Sequence, residues 1–436
     1  MKKTAIYLSI LLLSIMSFGC DSIYELSDIP IAEVDELTDP DDELLELTQK
    51  TTFNYFWDFA DSSSGMAKER SQSTVITIGG SGFGISCFPV AVERGWITKD
   101  EAIERMQKVL TFLEGSAKYH GAFAHWYTSS GVTVPFGTQD DGGDIVETAL
   151  LFQGLLINRQ YFSGDNTEEN DIRDRITTLW EAVEWDWYTQ GKKSITWHWS
   201  STHGFALNHT VSGWNEALIV YVLAAASPTH SIDKETYEKG WARSGAMKNG
   251  ETYYDRVLPL GETLGGPLFF AHYSFIGLDP TNLSDQYATN YFVQNRAHSL
   301  INYEYCKDNP KNYAGYSENS WGLTASDNNN GYSAHSPTND LGVITPTAAL
   351  SSFPYTPEES RQALEYFYER KNELWGEYGF YDAFSDEYGW VADGYLAIDQ
   401  GPIVAMIENY RTQLLWNLFM QDQNVKDGLT KLGFTY

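Results

Sequence analysis

The chain has 436 residues, of which 42% are hydrophobic, so it is long and apolar enough to bury a large core. Its formal net charge is −30 at pH 7, which argues against nucleic acids and other polyanions as ligands because like charges repel. Aromatic residues make up 15% of the chain, and the flat faces of its 14 Trp and 28 Tyr suit sugar rings as well as a core.

The first residues have the layout of a signal peptide. Lys2 and its neighbouring lysine precede an apolar stretch that ends just before Cys20. A cysteine at this place is typical of a bacterial lipoprotein, so we predict a signal peptide over residues 1–19 and a lipid on Cys20. The acidic, proline-containing residues 20–40 are predicted to form a tether. We therefore expect an exported lipoprotein, either periplasmic or at the outer-membrane surface.

Residues 41–436 are predicted to form one domain, because no low-complexity linker interrupts them. Two kinds of helical segment alternate along it. Charged, amphipathic segments cover residues 41–60, 98–117, 167–188, 233–247, 284–306 and 356–371. Apolar or small-residue-rich segments cover residues 80–93, 143–161, 213–226, 266–275, 340–353 and 401–419. Cys87 and Cys306 are expected to be buried free thiols, with a disulfide between them as the alternative.

The alternation of the two kinds of segment predicts the fold. Helices that are apolar all round are buried, whereas helices with a polar face lie at the surface. Six of each predict an all-α (α/α)6 barrel with an inner ring of six helices inside an outer ring of six. A repeat solenoid is the alternative, but the connections before the apolar segments are long and irregular rather than repeated. We expect the functional site in these connections.

Acidic residues stand only at the beginning of segment 137–156. Asp140 lies in a loop, and Asp144 and Glu147 fall in the first turn of the apolar helix that follows. Residues three apart share a helix face, and negative charge is favoured at a helix N-terminus. Capping alone explains such acids, but the pattern recurs later in the chain. We therefore predict that all three residues bind substrate.

Glu216 lies at the start of another apolar helix, in the sequence GWNEALIVYVLAAA. Burial among apolar residues raises the pKa of a carboxyl, which is what a general acid needs at neutral pH. Asp399 lies just before Gly401 and Pro402, where we expect another inner helix to start. The helix amides are expected to keep its carboxylate ionised, as a base requires. The alternatives are a buried structural glutamate and an N-capping aspartate.

Tryptophans in the connections complete the pattern. Those predicted to bind substrate are Trp126, Trp214, Trp321 and Trp390. Glycoside hydrolysis needs one protonated and one ionised carboxyl on either side of the cleaved bond. The expected surroundings of Glu216 and Asp399 differ in that sense, so the residues indicate a carbohydrate-cleaving site.

Three other motifs are assigned to structure rather than chemistry. His198, His203 and His209 lack the spacing of a helical zinc site. Residues 326–331 resemble a calcium loop but have no acid at the twelfth position, so we predict a turn. The glycine-rich residues 79–84 are not followed by a lysine and are assigned to close helix packing. No metal and no cofactor are expected.

Several stretches resemble one known family. They read TIGGSGFGISCFPVAVERGWIT, GTQDDGGDIVETALLFQGLL, LNHTVSGWNEALIVYVLA, YSENSWGLTASD and DGYLAIDQGPIVAMIENYRTQLLW. They resemble the bacterial glycoamylase-like family and, more closely, its β-1,2-glucanases of glycoside hydrolase family 144. The resemblance implies an (α/α)6 barrel and an inverting, metal-free hydrolysis of β-1,2-glucan to short sophoro-oligosaccharides. By motif match it implies Glu216 as the acid, Asp399 as the base, and a glucose site lined by Asp140, Asp144 and Glu147.

The expected function is therefore the hydrolysis of a neutral glucan by a monomeric β-1,2-glucanase. Endo and exo action both remain open. One alternative is another glycosidase of this fold, such as an α-glucan hydrolase. A different alternative is a surface lipoprotein that binds glycans without catalysis. A polysaccharide lyase is disfavoured by the net charge of −30, because its uronic-acid substrates need cations to hold them.

Overall fold

A computed structural model describes residues 42–436. The predicted signal peptide (residues 1–19), the tether (residues 20–40) and the lipid on Cys20 lie outside the described residues. Among residues 42–436, no helix combines the length and the apolar character needed to cross a bilayer.

Helices form the body of the described chain. They are α1 (Glu43–Trp57), α2 (Ile78–Ser86), α3 (Phe88–Glu93), α4 (Lys99–Gly115), α5 (Ile145–Tyr161), α6 (Thr167–Glu181), α7 (Leu218–Ala226), α8 (Lys234–Thr236), α9 (Phe269–His272), α10 (Tyr291–Asp308), α11 (Pro346–Leu350), α12 (Pro357–Glu369), α13 (Lys371–Leu374), α14 (Ala397–Thr412), α15 (Leu414–Phe419) and α16 (Gln423–Leu432). A π-helical turn over Tyr237–Trp241 extends α8, and a 3-10 turn over Tyr273–Ile276 extends α9.

Two-stranded pairs and one three-stranded sheet stiffen the connections between helices. The strands are β1 (Ile76–Thr77), β2 (Lys118–Tyr119), β3 (Ala122–Phe123), β4 (Trp126–Tyr127), β5 (Thr133–Val134), β6 (Gly143–Asp144), β7 (Ile195–Thr196), β8 (His198–Trp199), β9 (Thr210–Val211), β10 (Thr252–Tyr253), β11 (Arg256–Val257), β12 (Ala325–Asn328), β13 (Gly331–Ala334), β14 (Trp375–Gly376), β15 (Gly379–Phe380), β16 (Phe384–Ser385) and β17 (Trp390–Val391). The antiparallel pair β6–β8 joins the connection before α5 to the connection before α7.

The predicted alternation of inner and outer helices is confirmed, and the fold is an (α/α)6 barrel. Within the described chain the inner segments are α2, α5, α7, α9 with its 3-10 turn, α11 and α14. The outer segments are α1, α4, α6, α8 with its π turn, α10 and α12. The inner helices α2 and α7 are buried at every position, whereas α4 buries one stripe and exposes a charged face. Burial of the apolar helices is therefore what closes the inner ring.

A glycine seam, formed by Gly82 of α2 and Gly154 of α5, lets two inner helices touch through their backbones. A Cβ at position 82 would stand 2.4 Å from the carbonyl oxygen of Leu150, and a Cβ at position 154 would stand 2.1 Å from the carbonyl oxygen of Gly82. Both distances are shorter than van der Waals contact, so neither position accepts a side chain without movement. The close-packing interpretation of residues 79–84 is confirmed at this seam.

Outer and inner helices run in opposite directions. Near the start of α1, Glu46 forms a 2.9 Å ion pair with Arg411 near the end of α14. Gln49, one turn later in α1, donates a hydrogen bond to the main-chain carbonyl of Val404, which lies one and a half to two turns earlier in α14. Because the two kinds of helix alternate along the chain, all inner helices begin at one end of the barrel. The long connections that lead into the inner helices meet at that end.

Some helix boundaries differ from those predicted. Helix α14 begins at Ala397 rather than Gly401, and Pro402 lies inside it. Helix α7 begins at Leu218 rather than 213, so Glu216 precedes the helix. The capping box of Thr98 and Glu101 is present in α4, whereas Thr356 makes no side-chain cap to α12. These differences arise because tertiary contacts set helix ends as strongly as local sequence does.

The two cysteines of the described chain are separate. Cys87 and Cys306 are both buried free thiols. They belong to different hydrophobic clusters of the core, and burial raises the pKa of both thiols. The expectation of free thiols is confirmed, and the alternative disulfide is wrong.

Candidate active site

Asp144 is an acid held by several hydrogen bonds at the end of the barrel where the inner helices begin. It is fully buried, and its Oδ1 accepts hydrogen bonds of 2.9 Å from the main-chain amides of Val146 and Glu147. The indole of Trp197 also donates to Oδ1, and the ring of His125 bonds Oδ2, both at 2.9 Å. Burial alone would raise its pKa, but the bonds and charges of the nearby histidines outweigh burial and lower it. Asp144 is therefore a fixed negative charge.

Glu147 lies one turn along α5 and is held differently. Its Oε2 accepts a 2.6 Å hydrogen bond from the main-chain amide of Gly79, at the start of α2. Its Oε1 lies 3.8 Å from Nε2 of His125. Burial and the nearby charge of Asp144 raise its pKa. Glu147 thus takes a proton more readily than Asp144, although both stand at the mouth of the same helix.

Two histidines neutralise this group of acids, and the sequence analysis assigned neither to the site. His125 lies between Asp144 and Glu147. Burial lowers the pKa of its ring, but the charges of the two acids outweigh burial and raise that pKa to about 9. Nε2 of His198 lies 3.1 Å from Oδ2 of Asp140 and 3.4 Å from Oδ2 of Asp144. These carboxylates outweigh burial and raise its pKa to about 10. Both rings are therefore cationic at neutral pH.

Glu216 has the environment that its sequence predicts. It is partly buried in the turn before α7, and Ser274 donates a hydrogen bond to its main-chain carbonyl. Desolvation is the main cause that raises the pKa of its carboxyl to about 7, and the charges of Asp144 and Glu147 add to it. A carboxyl with this pKa still carries a proton in half of the molecules at neutral pH.

Asp399 differs from its prediction. It lies in the first turn of α14, buried to 2% exposure, but its Oδ2 has no hydrogen-bond partner among the described residues. Desolvation, and then the neighbouring carboxyl of Asp382, raise its pKa well above the ordinary value. Burial beside a second acid therefore opposes the ionised form that the sequence predicts for Asp399.

Asp382 is the acid that the sequence analysis missed. It is 3% exposed, and its Oδ2 accepts a 2.8 Å hydrogen bond from the main-chain amide of Asp327. Desolvation raises the pKa of its carboxyl to about 7, and the neighbouring Asp399 carboxyl also influences that pKa. Arg70, which is ion-paired with Asp327 at 3.0 Å, is the cation of this side of the site. Asp382 and Asp399 therefore form a pair of carboxyls that holds a proton.

Tyr273 connects the two groups of acids. It lies beside Asp399 and lowers the pKa of that carboxyl, although burial and Asp382 outweigh this effect. Burial raises its pKa, and so do the negative charges of Asp399, Glu216 and Glu147, so the hydroxyl stays protonated. The phenol ring packs edge-on against Phe83 of α2, with ring centroids 4.9 Å apart. Acids from α5, from the turn before α7 and from α14 thus lie around Tyr273.

The four predicted tryptophans divide into two pairs. Trp126 is partly buried beside His125, and its indole nitrogen has no partner among the described residues. Trp390 in β17 lines a cleft of about 400 Å³ with Arg70 and Asp327. Both therefore lie beside the acids named above.

The other two tryptophans lie in the core, and their assignment to substrate is corrected. Trp321 is fully buried and donates a 3.1 Å hydrogen bond to the carbonyl of Glu359 in the outer helix α12. Trp214 is 6% exposed and packs with Tyr291 and Phe275 in the main hydrophobic cluster. A buried indole has no free face on which a sugar ring can stack, so neither residue is part of the site.

Three residues of the described chain have the spacing of a possible metal site. One ligand atom each of Asp140, Asp144 and His198 lies within 4.8 Å of the others. The ring of His198 is cationic at neutral pH and would have to lose its proton to bind a metal. The other two histidines of this connection, His203 and His209, are exposed. Residues 326–331 form the hairpin β12–β13, so the predicted turn is confirmed.

The arrangement separates two kinds of carboxyl. Glu216 is nearly isolated from other acids and holds a proton near neutral pH. Asp382 and Asp399, which also lie near Tyr273, share one proton. Oδ1 of Asp382, Oδ2 of Asp399 and the indole nitrogen of Trp126 are buried and have no hydrogen-bond partner among the described residues. One proton donor, one proton acceptor and free polar atoms are what the hydrolysis of a polyhydroxyl ligand needs.

Comparison with known proteins agrees with the fold. A family model described as putative glucoamylase matches residues 208–423. A curated protein of Parabacteroides distasonis, exo β-1,2-glucooligosaccharide sophorohydrolase (non-reducing end), is 45% identical over 418 residues, or 90% of this chain. The chain spans 58% of the length of that relative.

Two solved structures are similar over nearly their whole length. A protein from Bacteroides uniformis, which carries the same glucoamylase description, is 55% identical with a TM-score of 0.89, covering 90% of this chain and 97% of that one. An endo-β-1,2-glucanase from Chitinophaga pinensis, solved with sophorotriose and glucose, is 49% identical with a TM-score of 0.89. That match covers 91% of this chain and 98% of the other.

Proposed function

This chain belongs to the glycoamylase family, and from that membership we propose that it is a glycoside hydrolase that cleaves β-1,2-glucan to short sophoro-oligosaccharides. Two relatives named for action on β-1,2-linked glucose chains are 45% and 49% identical to it. The observation that carries the proposal is the contrast between Glu216 and the Asp382–Asp399 pair around Tyr273. This contrast supplies a separate proton donor and proton acceptor in one site.

Glu216 is the proposed general acid. As the glycosidic bond breaks, the leaving oxygen takes up a proton that comes from the Glu216 carboxyl. Its apolar surroundings raise its pKa to about 7, so a fraction of the molecules sufficient for catalysis carries that proton at neutral pH. Apolar helix α7 behind it keeps water from solvating the charged form.

Asp399 is the proposed general base of an inverting reaction. A water molecule attacks the anomeric carbon from the face opposite the leaving oxygen and gives its proton to the Asp399 carboxylate. Asp399 must be ionised for this step, so the proton of the pair must lie on Asp382 when the water attacks, against the burial and the neighbouring carboxyl that raise the pKa of Asp399. Tyr273 lies beside Asp399 and lowers the pKa of its carboxyl, which favours the ionised form.

The remaining acids are proposed to bind the sugar on the side of the cleaved bond nearer α5. Asp140, Asp144 and Glu147 offer carboxylate oxygens to the hydroxyl groups of a glucose ring. The cationic rings of His125 and His198 balance their charge, so several acids stand together without mutual repulsion. A neutral ligand with many hydroxyl donors matches this acceptor-rich surface.

We also propose that the protein is exported and held by a lipid on Cys20, and that it acts as a monomer. The arrangement of the first twenty residues supports export, since a basic start, an apolar stretch and a cysteine follow one another. Metabolic labelling with an alkyne fatty acid tests the anchor: Cys20→Ala should lose the label that the unchanged chain carries.

The function is tested by product analysis on three glucans. Purified protein and its Glu216→Gln variant are incubated with linear β-1,2-glucan, starch and laminarin, and the products are identified by thin-layer chromatography and mass spectrometry. Short sophoro-oligosaccharides from the unchanged protein alone support both the substrate and the acid. Sugar from starch alone would favour an α-glucan hydrolase. No product from any glucan, with binding retained, would assign the protein to the non-catalytic glycan-binding class.

A further inference from the structure

A second cleft lies on the barrel rim, outside the group of acids described above. It has a volume of about 350 Å³ and is lined by Glu184, Asp186, Trp187, Gln190, Gly191, Phe205 and His230. We name it the Trp187 cleft. The indole of Trp187 is 40% exposed, which is unusual for so large an apolar side chain. The proposed reaction uses none of these residues.

The Trp187 ring is held in one orientation. The imidazole of His120 stacks behind it with ring centroids 3.8 Å apart and an angle of 15° between the planes. Trp199 packs edge-on against it at 6.1 Å. A fixed aromatic ring loses little conformational freedom when a ligand stacks on its open face. The cleft is therefore lined by an indole that is partly exposed and fixed by its aromatic neighbours.

The acids of the cleft are also held by partners. Nδ1 of His120 lies 2.9 Å from Oε2 of Glu184, and Nδ1 of His230 lies 3.1 Å from Oδ1 of Asp186. Each carboxylate keeps further oxygen lone pairs for other donors. In a cleft lined by an indole together with carboxylate and amide groups, the oxygens can accept hydrogen bonds from ligand hydroxyls and the indole can contact an apolar face of the ligand.

This combination selects one class of ligand. Sugar rings have apolar faces and hydroxyl edges, so they match an indole bordered by hydrogen-bond acceptors. The acids of the cleft and the net charge of −30 disfavour an anionic ligand. The volume lies within the range of about 300–1,000 Å³ that small-molecule sites occupy. A neutral oligosaccharide segment satisfies all three conditions.

The position of the cleft links it to the acids. Trp199, which packs against Trp187, belongs to β8 and pairs with Gly143 of β6. The neighbouring pair of the same two strands, His198 and Asp144, forms part of the acid group. The Trp187 cleft is thus separated from Asp144 by one strand pair, on the same end of the barrel.

We propose that the Trp187 cleft is a second carbohydrate-binding site, which holds a distant part of the same glucan chain that the acids cleave. Trp187 stacks on a glucose ring, and Glu184 and Asp186 accept hydrogen bonds from its hydroxyls. The identity of the sugar rests on the proposed function, whereas the existence of the site rests on the cleft. Long chains gain a contact here that short oligosaccharides cannot reach.

The test compares ligand lengths in a non-cleaving background. Trp187→Ala and Trp187→Phe are each made in the Glu216→Gln protein, and dissociation constants are measured by isothermal titration calorimetry for long linear β-1,2-glucan and for sophorotetraose. We expect Trp187→Ala to weaken long-chain binding about fivefold more than tetramer binding, from the energy of an aromatic stack. Trp187→Phe keeps a flat ring and should recover most of the loss.

Controls separate this inference from the proposed function. Tyr436→Ala removes an aromatic side chain of similar exposure (42%) and should change neither constant. Equal loss for both ligand lengths, or no loss with the long chain, would overturn the second site. If the parent protein binds starch instead of β-1,2-glucan, the proposed substrate fails. A length-dependent loss on starch would then still support the Trp187 cleft.

Discussion

The main-chain amide of Gly79 donates a 2.6 Å hydrogen bond to Oε2 of Glu147 and so joins the first turns of two inner helices. A Cβ at position 79 would stand 2.7 Å from the same oxygen. Only a residue without a side chain lets the amide approach this closely. The position of a proposed substrate-binding acid therefore depends on a glycine of another helix.

Gly79→Ala is expected to disturb the site more than the fold. The added methyl group pushes the Glu147 carboxylate away and weakens a hydrogen bond to a charged acceptor, which is worth about 1.5–3 kcal/mol. We expect the free energy of unfolding in urea to fall by about that amount and kcat/KM on β-1,2-glucan to fall about tenfold or more. Gly115→Ala, where a Cβ meets nothing within 4 Å, is the matched control. Unchanged kcat/KM in Gly79→Ala would contradict the role of Glu147.

Glu216→Gln is expected to abolish most activity while leaving binding intact. Removing a general acid costs about 10²–10⁴ in rate, and glutamine keeps the size of the side chain. The effect should therefore lie in kcat, with KM changed by about twofold at most. Initial rates on linear β-1,2-glucan measure both. Glu104→Gln, on the exposed face of α4, should behave as the unchanged protein. A loss confined to KM would show that Glu216 only binds substrate.

Stability should depend on pH through the same residue. The pKa of Glu216 is about 7 in the folded state, above its ordinary value of 4.5. Between pH 4.5 and pH 7 the folded state therefore binds more protons than the unfolded state. Its contribution to stability is therefore largest below pH 4.5 and is lost as the pH rises to about 7. Glu216→Gln does not titrate, so relative to the unchanged protein it should gain up to about 3 kcal/mol between pH 4.5 and 8. Urea unfolding at both pH values measures this gain, and the absence of a pH-dependent difference would refute the raised pKa of Glu216.

The Asp382–Asp399 pair should set the acidic side of the pH–activity profile. Asp399 acts as a base only when ionised, and the neighbouring Asp382 carboxyl raises its pKa. Asp382→Asn removes the second ionisable carboxyl of the pair, so the pKa of Asp399 should fall and the acidic limb of kcat/KM should move to lower pH by about one unit. The alkaline limb, set by Glu216, should stay near pH 7. The surrounding charged and titratable groups Arg70, Glu69, Asp327, Tyr55, Tyr273 and Tyr332 are unchanged in this variant. A profile that loses height without moving would show that Asp382 acts only in folding.

Chelation is expected to leave activity unchanged. His198 and His125, which stand beside the acids, have pKa values of about 10 and 9, so at pH 7 a metal would compete with bound protons. Rates after dialysis against EDTA should match those before it. Loss of activity that Zn²⁺ or Ca²⁺ restores would assign Asp140, Asp144 and His198 to a metal.

The sequence predicts the architecture because the two kinds of helix differ in composition. The apolar residues of α7 and the charged face of α4 are visible without a structure, and so is Glu216, which stands alone in apolar company. Helix ends are less predictable, since the start of α14 at Ala397 depends on tertiary contacts and not on Pro402. The number and order of inner segments therefore follow from the sequence, and their exact limits do not.

The partners of the acids were not predictable in the same way. Asp382 stands between aromatic residues in a connection, and nothing local indicates that the fold places it against Asp399. His125 likewise lies in a connection, and it meets Asp144 and Glu147 only because the fold places the start of α5 beside it. Conversely, Trp321 has the composition of a sugar-binding loop, but the fold turns it inward to Glu359. Long-range packing decides all three cases.

The antiparallel contact between α1 and α14 has a practical consequence for attaching the protein to a support. Asp399 and Arg411 are about 18 Å apart along the α14 axis, at 1.5 Å per residue. Arg411 pairs with Glu46, so the described chain begins at the end of the barrel remote from the carboxyls. If the protein is coupled to beads or to an electrode through the end of the barrel that contains residue 42, the acids face the solution. A long polymer would then reach them without passing the point of immobilisation.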